Sequence, residues 1–471
     1  MPGSMKKLSI KRVSAPTAFS NPLDQSSFGA NRRQRRGLPG GRGLLFQDEI
    51  ALNYATVAPR VCVAMLGARM HYAVPRLLHE TGLLARFFTD SYIGNKPWLE
   101  AALRTVPERT RPQALQRWLG RTDSVLPPGK VTSFELLGLR YGWARRRAQG
   151  RLNASTVFRD SAVSFNRHIV RVGLGSADVV WGFNGAALEL FQVAKREGRK
   201  CVLEQTILPR VLESALLASE QQRWPQWQKC ETDWTAPVAM DGREEAEWAL
   251  ADAIVAGSDF VREGLVALGV APDKVHVIPY GVDPARFSPS SRHRDARHKD
   301  RPLRVLVVGE AGLRKGTPDL LHALSKFRPG TVQARCVGEI ALREDKLQPF
   351  LPWATFLGPV PRPQMPALFR WADVFVLPSI VEGSATVTYE AMMSGCAVIT
   401  TPNAGSVVRH GVEGFIVPAG APECLAEALR RYLDEPGLLA DHRTQARGAC
   451  EKIGLTRYRS GLAQLVRETV S

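Results

Sequence analysis

The sequence predicts an α/β protein with two parallel-sheet halves, and three observations carry that expectation. The length, 471 residues, suits two or three domains. Short apolar runs alternate with amphipathic stretches from Val61 to Val417. One polar, proline-bounded segment, SPSSRHRDARHKDRP at 288–302, interrupts the alternation and reads as a linker. Composition agrees: 44% of residues are hydrophobic and 23% charged, which excludes a wholly disordered chain, a collagen-like fibre and a small disulfide scaffold. No apolar run approaches the roughly 18 residues of a membrane span.

The elements follow in order. The first 45 residues carry nine Lys and Arg against one acid, Asp24, with no apolar period. Residues 1–50 therefore read as a disordered basic arm. It supplies much of the net charge of +18, and any nucleic-acid binding by it would be nonspecific and salt-sensitive. A strand is expected at 61–66, then a loop at 67–72 and a helix ending near Gly82. The second strand is placed at 178–183, followed by a helix at 187–197 that stops at Gly198, and a strand at 200–205. A short strand at 253–256 precedes a helix at 259–268, with Ser258 as its cap and Gly269 at its end; a strand at 275–278 closes this half. Between the first two strands, residues 99–151 hold eleven Lys and Arg against four acids, with Trp118 and Trp143 interleaved. This stretch reads as a helical insertion, either simply solvated or meeting an anionic partner.

Beyond the linker, strands are expected at 303–308, 334–337, 355–356, 373–377, 397–400 and 415–417, with a helix from Pro318. The resulting division is an arm (1–50), a first half (51–287) with its basic insertion (99–151), a linker (288–302) and a second half (303–440). Residues 441–471, with a helix over 455–467, are expected to pack back on the first half. The seven cysteines are scattered without a C-x-x-C pair and read as reduced core thiols. With no signal-peptide core, the expected location is cytoplasmic, extending to the inner face of a membrane.

Two segments carry chemistry. The loop 309–316, GEAGLRKG, follows a strand and ends in two cations; Thr317 would cap the next helix with Pro318 first in it. Gly309 lets the backbone turn toward a ligand, and Arg314 and Lys315 beside a helix N-terminus suit a phosphate. The P-loop spacing is absent, and an ordinary βα turn with a surface basic pair is the plain alternative. The second segment is 374–400, VFVLPSIVEGSATVTYEAMMSGCAVIT. Glu382 and Gly383 lie in a loop, Ser384 is a candidate cap, and a helix is expected from about Ala385 to Ser394. Were the residues from Glu382 to Glu390 helical, the two carboxylates would stand about 12 Å apart along the axis. Each carboxylate could accept a vicinal diol, and the amides of Ser384, Ala385 and Thr386 between them could meet a diphosphate. The alternative is an exposed loop glutamate and a salt-bridged helix glutamate. His71, in the loop after the first strand, is either a ligand-side group or a helix-entrance residue without a role. The histidines show no metal-ligand spacing, so no metal centre is expected.

The ordered set of motifs resembles the retaining family 4 glycosyltransferases of the GT-B fold, two Rossmann-like doubly wound domains facing each other across a cleft. The resemblance rests on the 308–316 loop, the Gly358–Pro361 turn, ADVFVLPS at 372–379, and the Glu382/Glu390 pair followed by AMMSGCAVITT. GSVVRHGVEGFIVP at 405–418 and the approach to the linker at 251–287 complete it. It is close over about 250–440 and holds only in outline before that. It implies transfer of a glycosyl group from a nucleotide diphosphate sugar to a hydroxyl acceptor, in surface polysaccharide or lipid-linked glycan synthesis. No cofactor beyond that co-substrate is implied, and peripheral contact with an anionic membrane is a further partner expectation.

The first half would take the acceptor and the second the donor. Lys315 matches the lysine that stabilises the departing diphosphate, with Arg314 beside it. Glu382 matches the glutamate near the donor sugar and Glu390 the one that holds the ribose. Gly67, Gly309, Gly383, Ser384, Ala385 and Thr386 match backbone positions around the donor. Two departures stand out: Glu310 replaces the usual arginine after Gly309, and the first-half strand that often ends in histidine reads CVLEQT, which would turn Glu204 or Gln205 toward the donor sugar. A sugar-nucleotide epimerase, a phosphorylase and a non-enzymatic nucleotide-sugar binder are the alternative readings.

Overall fold

The computed structural model describes residues 58–471, apart from 108, 109, 149, 235–239, 241, 285 and 288–300. The expected basic arm and nearly all of the expected linker lie outside the described residues.

Seven strands form the first sheet: β1 (Val61–Met65), β2 (Leu84–Thr89), β3 (Val131–Ser133), β4 (Val179–Phe183), β5 (Lys200–Gln205), β6 (Ala253–Ala256) and β7 (Val275–Val277). Their spatial order is β3-β2-β1-β4-β5-β6-β7, and every neighbouring pair is parallel. Six strands form the second: β8 (Leu303–Val308), β9 (Val332–Val337), β10 (Ala354–Gly358), β11 (Val374–Leu377), β12 (Ala397–Thr400) and β13 (Gly414–Ile416). These run parallel in the order β10-β9-β8-β11-β12-β13. Parallel sheets are covered on both faces, so their strands are apolar on both. In β1, Val61, Val63 and Met65 enter one core while Cys62 and Ala64 enter another on the opposite face.

Four expectations are corrected. The strand placed second is β4, because β2 and β3 precede it. The basic stretch 99–151 is not only a helical insertion: it contains β3, the edge strand paired to β2, beside the helices Gln113–Leu119 and Glu135–Arg147. Three residues amid a charged stretch leave too short a run to read as a strand. The core-thiol reading holds for five cysteines, whereas Cys230 and Cys424 are exposed. The helix expected to end at Arg467 runs Leu455–Val470.

Among the described residues, a segment from each lobe packs onto the other. The helix Leu455–Val470 returns to the first lobe, where Arg459 meets Glu80 at 3.2 Å and Tyr458 packs edge-on against Tyr280. In the other direction, the segment after the helix Arg210–Arg223 enters the second lobe. Trp227 is buried in the second lobe's core, against His322 and Phe350. Backbone bonds hold it there: Lys229 N–H to the Ala341 carbonyl (2.9 Å) and Arg343 N–H to the Trp227 carbonyl (2.8 Å). Arg223 adds an ion pair to Asp319 at 2.8 Å.

In each sheet the strand order reverses direction at one place, between β1 and β4 and between β8 and β11. Loops leaving the carboxyl ends of such strand pairs diverge to opposite faces and open a crevice. The topology alone thus directs attention to the loops after β1, β4, β8 and β11.

Candidate functional site

The loop after β8 turns on two glycines in the left-handed region, Gly309 (φ 136°) and Gly316 (φ 63°). A side chain at Gly309 would meet Lys315 Cε at 2.7 Å, and one at Gly316 would meet the Pro378 carbonyl oxygen at 2.1 Å. Only glycine lets the lysine stem lie along the strand exit and the loop after β11 close on the turn. Lys315, 7% exposed, places Nζ 2.6 Å from Glu382 Oε1. Arg314 Nη1 lies 2.8 Å from the same oxygen. Burial pulls the Lys315 ammonium below its ordinary pKa, while Glu382 opposes that shift. The cap of the next helix is Gly316 rather than Thr317, whose hydroxyl oxygen instead accepts the Gly312 N–H at 3.1 Å.

The helix between the two glutamates runs Thr386–Met393, with Ala385 rather than Ser384 as its cap. The Ser384 hydroxyl bonds the Tyr389 hydroxyl at 2.9 Å, and the Ala385 N–H donates to the Ala404 carbonyl at 3.2 Å. The stretch from Glu382 to Ala385 is not helical, so the expected 12 Å rise does not apply. Gly383 is a wedge between lobes: a side chain there would meet the Thr206 carbonyl oxygen at 1.9 Å, and its carbonyl accepts the Ser258 hydroxyl. Of the predicted backbone amides, that of Ala385 is therefore occupied by a protein contact.

On the first lobe, Gly67 (φ 89°) gives its N–H to Asp90 Oδ1 at 2.8 Å rather than to the crevice. Arg69 bonds Asn184 Oδ1 (3.2 Å) and Thr206 Oγ1 (2.7 Å), joining the loops after β1, β4 and β5. Met70, His71 and Tyr72 then adopt φ of 46°, 49° and 61°. Each such non-glycine residue costs of order 1–3 kcal/mol, so packing must hold the run in place. Tyr72 provides an anchor, buried edge-on against Phe87 and Tyr92. Glu204 and Gln205 do not face the crevice. Both are fully buried: Glu204 accepts bonds from Trp181 Nε1 and the Tyr280 hydroxyl, each at 3.2 Å, and Gln205 accepts one from Trp248 Nε1 at 3.0 Å. Burial pushes the Glu204 carboxyl up to about 7 despite those bonds.

Between the lobes lies a cavity of about 480 Å³. Glu390 and Thr386 line it from the second lobe, His71 and Tyr280 from the first. Val308, the residue before Gly309, also lines it, so the Lys315 cluster stands one residue beyond its wall. Burial raises the Glu390 carboxyl, with Arg362 and Arg286 pulling it back. Partial desolvation at the cavity mouth, where the ring keeps solvent contact, together with the same arginines and Arg76 pushes His71 down to about 4, leaving it neutral at pH 7. Among the described residues neither Arg286 nor Arg362 forms an ion pair, whereas Arg76 meets Asp123 at 3.3 Å. No group of three or more metal-ligating side chains occurs among the described residues.

The structure thus brings Arg314, Lys315 and Glu382 into one cluster, and His71, Thr386 and Glu390 into one adjoining cavity. Sequence reasoning missed Arg76, Arg286, Arg362 and Tyr280. A lone arginine carries no local pattern; only the meeting of the two lobes gives these four a shared address.

Comparison with known proteins agrees with this architecture. The family profile described as "Glycosyl transferases group 1" matches residues 302–435, and "Glycosyltransferase Family 4" matches 234–286. The D-inositol 3-phosphate glycosyltransferase 1 of Catenulispora acidiphila is 31% identical over 45% of this chain and 56% of its own length. The amylovoran biosynthesis glycosyltransferase AmsK of Erwinia amylovora is 27% identical over 36% of this chain and 44% of its own. The chain therefore spans about half the length of the curated relatives it matches. Among solved structures, the UDP-forming trehalose-phosphate synthase of Burkholderia xenovorans superposes with a TM-score of 0.59 at 15% identity, over 88% of this chain and all of that one. HepE of Anabaena, solved with UDP and glucose, gives 0.54 at 14%, over 87% of this chain and all of that one. At these identities the structural likeness bears on fold alone. The family matches cover the second lobe and the approach to it, so the chain is similar there to the group 1 and family 4 glycosyltransferases, and its two Rossmann-like sheets have the GT-B fold.

Proposed function

We propose that the protein transfers a glycosyl group from a nucleotide diphosphate sugar to a hydroxyl acceptor with retention of anomeric configuration, in surface polysaccharide or lipid-linked glycan synthesis. The observation that carries this reading is the interlobe cavity with Glu390 on one wall and the Arg314, Lys315 and Glu382 cluster one residue beyond another. In this reading Glu390 accepts the ribose hydroxyls. The bond between the sugar's anomeric carbon and the diphosphate breaks, and negative charge grows on the leaving oxygens. Lys315 and Arg314 neutralise it in a partly dehydrated place, where they count for more than in water. The acceptor oxygen bonds the anomeric carbon, and its proton passes to the departing phosphate. Glu382 hands its cations to the diphosphate and turns toward the donor sugar.

A panel of nucleoside diphosphates and nucleotide sugars tests the first half of this by thermal shift, since a ligand that binds only the native state raises the melting temperature. A rise with at least one nucleotide, followed by its release as diphosphate when acceptor is added, is the expected result. NMR of the product then reads the anomer. No stabilisation by any nucleotide would overturn the assignment. One observation favours a second reading, a binder without transfer: Glu382 already satisfies both loop cations, and Glu310 stands exposed beside them. Stabilisation without diphosphate release on any acceptor would favour it.

A further inference from the structure

The helix Glu135–Arg147 is apolar on two opposite sides, and packing explains only one of them. Leu137 is buried in the first lobe's core, with Tyr141 packed against that core. Leu136, Leu139 and Trp143 are instead 79%, 70% and 59% exposed. At about 100° per residue they share one face with Arg140, Arg146 and Arg147, all exposed, and that face points away from Leu137. The Arg147 guanidinium lies 3.8 Å above the Trp143 ring, which keeps the indole extended along the surface. The helix has one acid, Glu135, and it is taken: Lys96 reaches it at 2.7 Å and the Ser91 hydroxyl at 2.8 Å. Trp98, two residues after Lys96, is 74% exposed as well. A groove of about 470 Å³ runs along the exposed edge of this helix, against the helix Gly150–Val172.

We infer that this face docks on an anionic lipid bilayer, with Leu136, Leu139 and Trp143 entering the headgroup boundary and the arginines meeting lipid phosphates. Large exposed apolar side chains interleaved only with arginine are costly in water and suited to that boundary, where the stems sink and the guanidiniums stay at the polar level. Asp160 lines the groove but is paired to Arg159 at 2.7 Å, so positive charge is in excess along this face, which suits anionic headgroups. The position also has a use. Gly138 packs on the Asp90 carbonyl, where a side chain would approach to 2.7 Å, and Asp90 holds the Gly67 N–H in the loop after β1. Two contacts therefore separate the docking helix from the acceptor-side loop, which puts a membrane-borne acceptor beside the cleft.

The inference goes beyond the transfer reaction and is tested without it. The full chain is sedimented with vesicles of phosphatidylcholine alone and of phosphatidylcholine mixed with phosphatidylglycerol. Binding is expected only to the mixed vesicles. The triple variant Leu136→Ser, Leu139→Ser, Trp143→Ser keeps every charge and should bind about tenfold less or weaker still. Arg140→Gln, Arg146→Gln, Arg147→Gln together should bind less and lose part of the salt dependence. Both variants should melt where the parent does, because the altered side chains are exposed. Equal sedimentation of parent and serine variant would overturn the inference and assign binding to the basic residues before Thr56. So would absence of binding to either vesicle, or a dimer in solution that the serine substitutions dissociate, which would make the face an interface between copies.

Discussion

The two ends of the crevice are built on opposite principles. At the loop after β8, two cations converge on one carboxylate oxygen, Lys315 buried and Arg314 about a third exposed. At Glu390, one carboxylate faces an open cavity with two arginines on its walls that pair with no acid among the described residues. The first end carries its own counter-ion; the second leaves its charges for a guest. A ligand that spans both must displace Glu382 at one end and merely fill space at the other. Affinity is therefore expected to come from the Glu390 end, and rate from the Lys315 end.

Substitutions can break or sharpen that contrast. The largest effect is expected from Lys315→Ala, which should lower the rate of diphosphate release about 10²–10³-fold while the protein stays folded by its melting curve. Near-normal turnover would remove the cluster from the chemistry. Glu390→Gln should act on binding, raising the donor KM about 10- to 100-fold with kcat little changed, from a loss of about 1.5–3 kcal/mol in hydrogen bonds to a charged group. A fall in kcat alone would reverse the assignment of the two ends.

A further effect, on stability and not on turnover, is expected behind the cavity wall. Glu204 supports Tyr280 and is pushed up to about 7, so the native state keeps a proton that the unfolded chain has released. Stability should then fall as pH rises from the ordinary carboxyl range through about 7, and Glu204→Gln should abolish that part of the fall. Parallel pH dependences of the two melting temperatures would show that Glu204 carries no such penalty. The smallest effect is expected from Glu382→Gln. Releasing the two cations should tighten nucleoside diphosphate binding by about 1 kcal/mol, or about fivefold, measured by calorimetry. Weaker binding would mean that Glu382 organises the phosphate end rather than competing there.

How much could be read beforehand also differs between the lobes. All six strands of the second sheet are anticipated, because β8, β11 and β12 are nearly continuous apolar runs bounded by Gly, Pro or Ser. In the first sheet β2 is hidden, since LARFFT interrupts its apolar run with Arg86, whose guanidinium lies 5.3 Å over the Phe88 ring. Lys315, Glu382 and Glu390 can be singled out beforehand because each sits in a patterned loop or in the helix that follows one. Glu204 is misread because a carboxylate at a strand end suggests a crevice, whereas Trp181 and Tyr280 enclose it. Ser258 is read correctly as a cap, accepting the Val261 N–H at 3.4 Å, but its second contact, to Gly383 across the lobes, is invisible in local sequence.

Trp227 gives this molecule a clasp that its chain connectivity does not reveal. A residue supplied by one lobe completes the interior of the other, so neither half can be excised as an intact unit: the second would be left with an open socket and the first with a bare indole. Proteolytic nicking within 288–300 is accordingly expected to yield two fragments that still travel as a single particle, parting only when the protein melts.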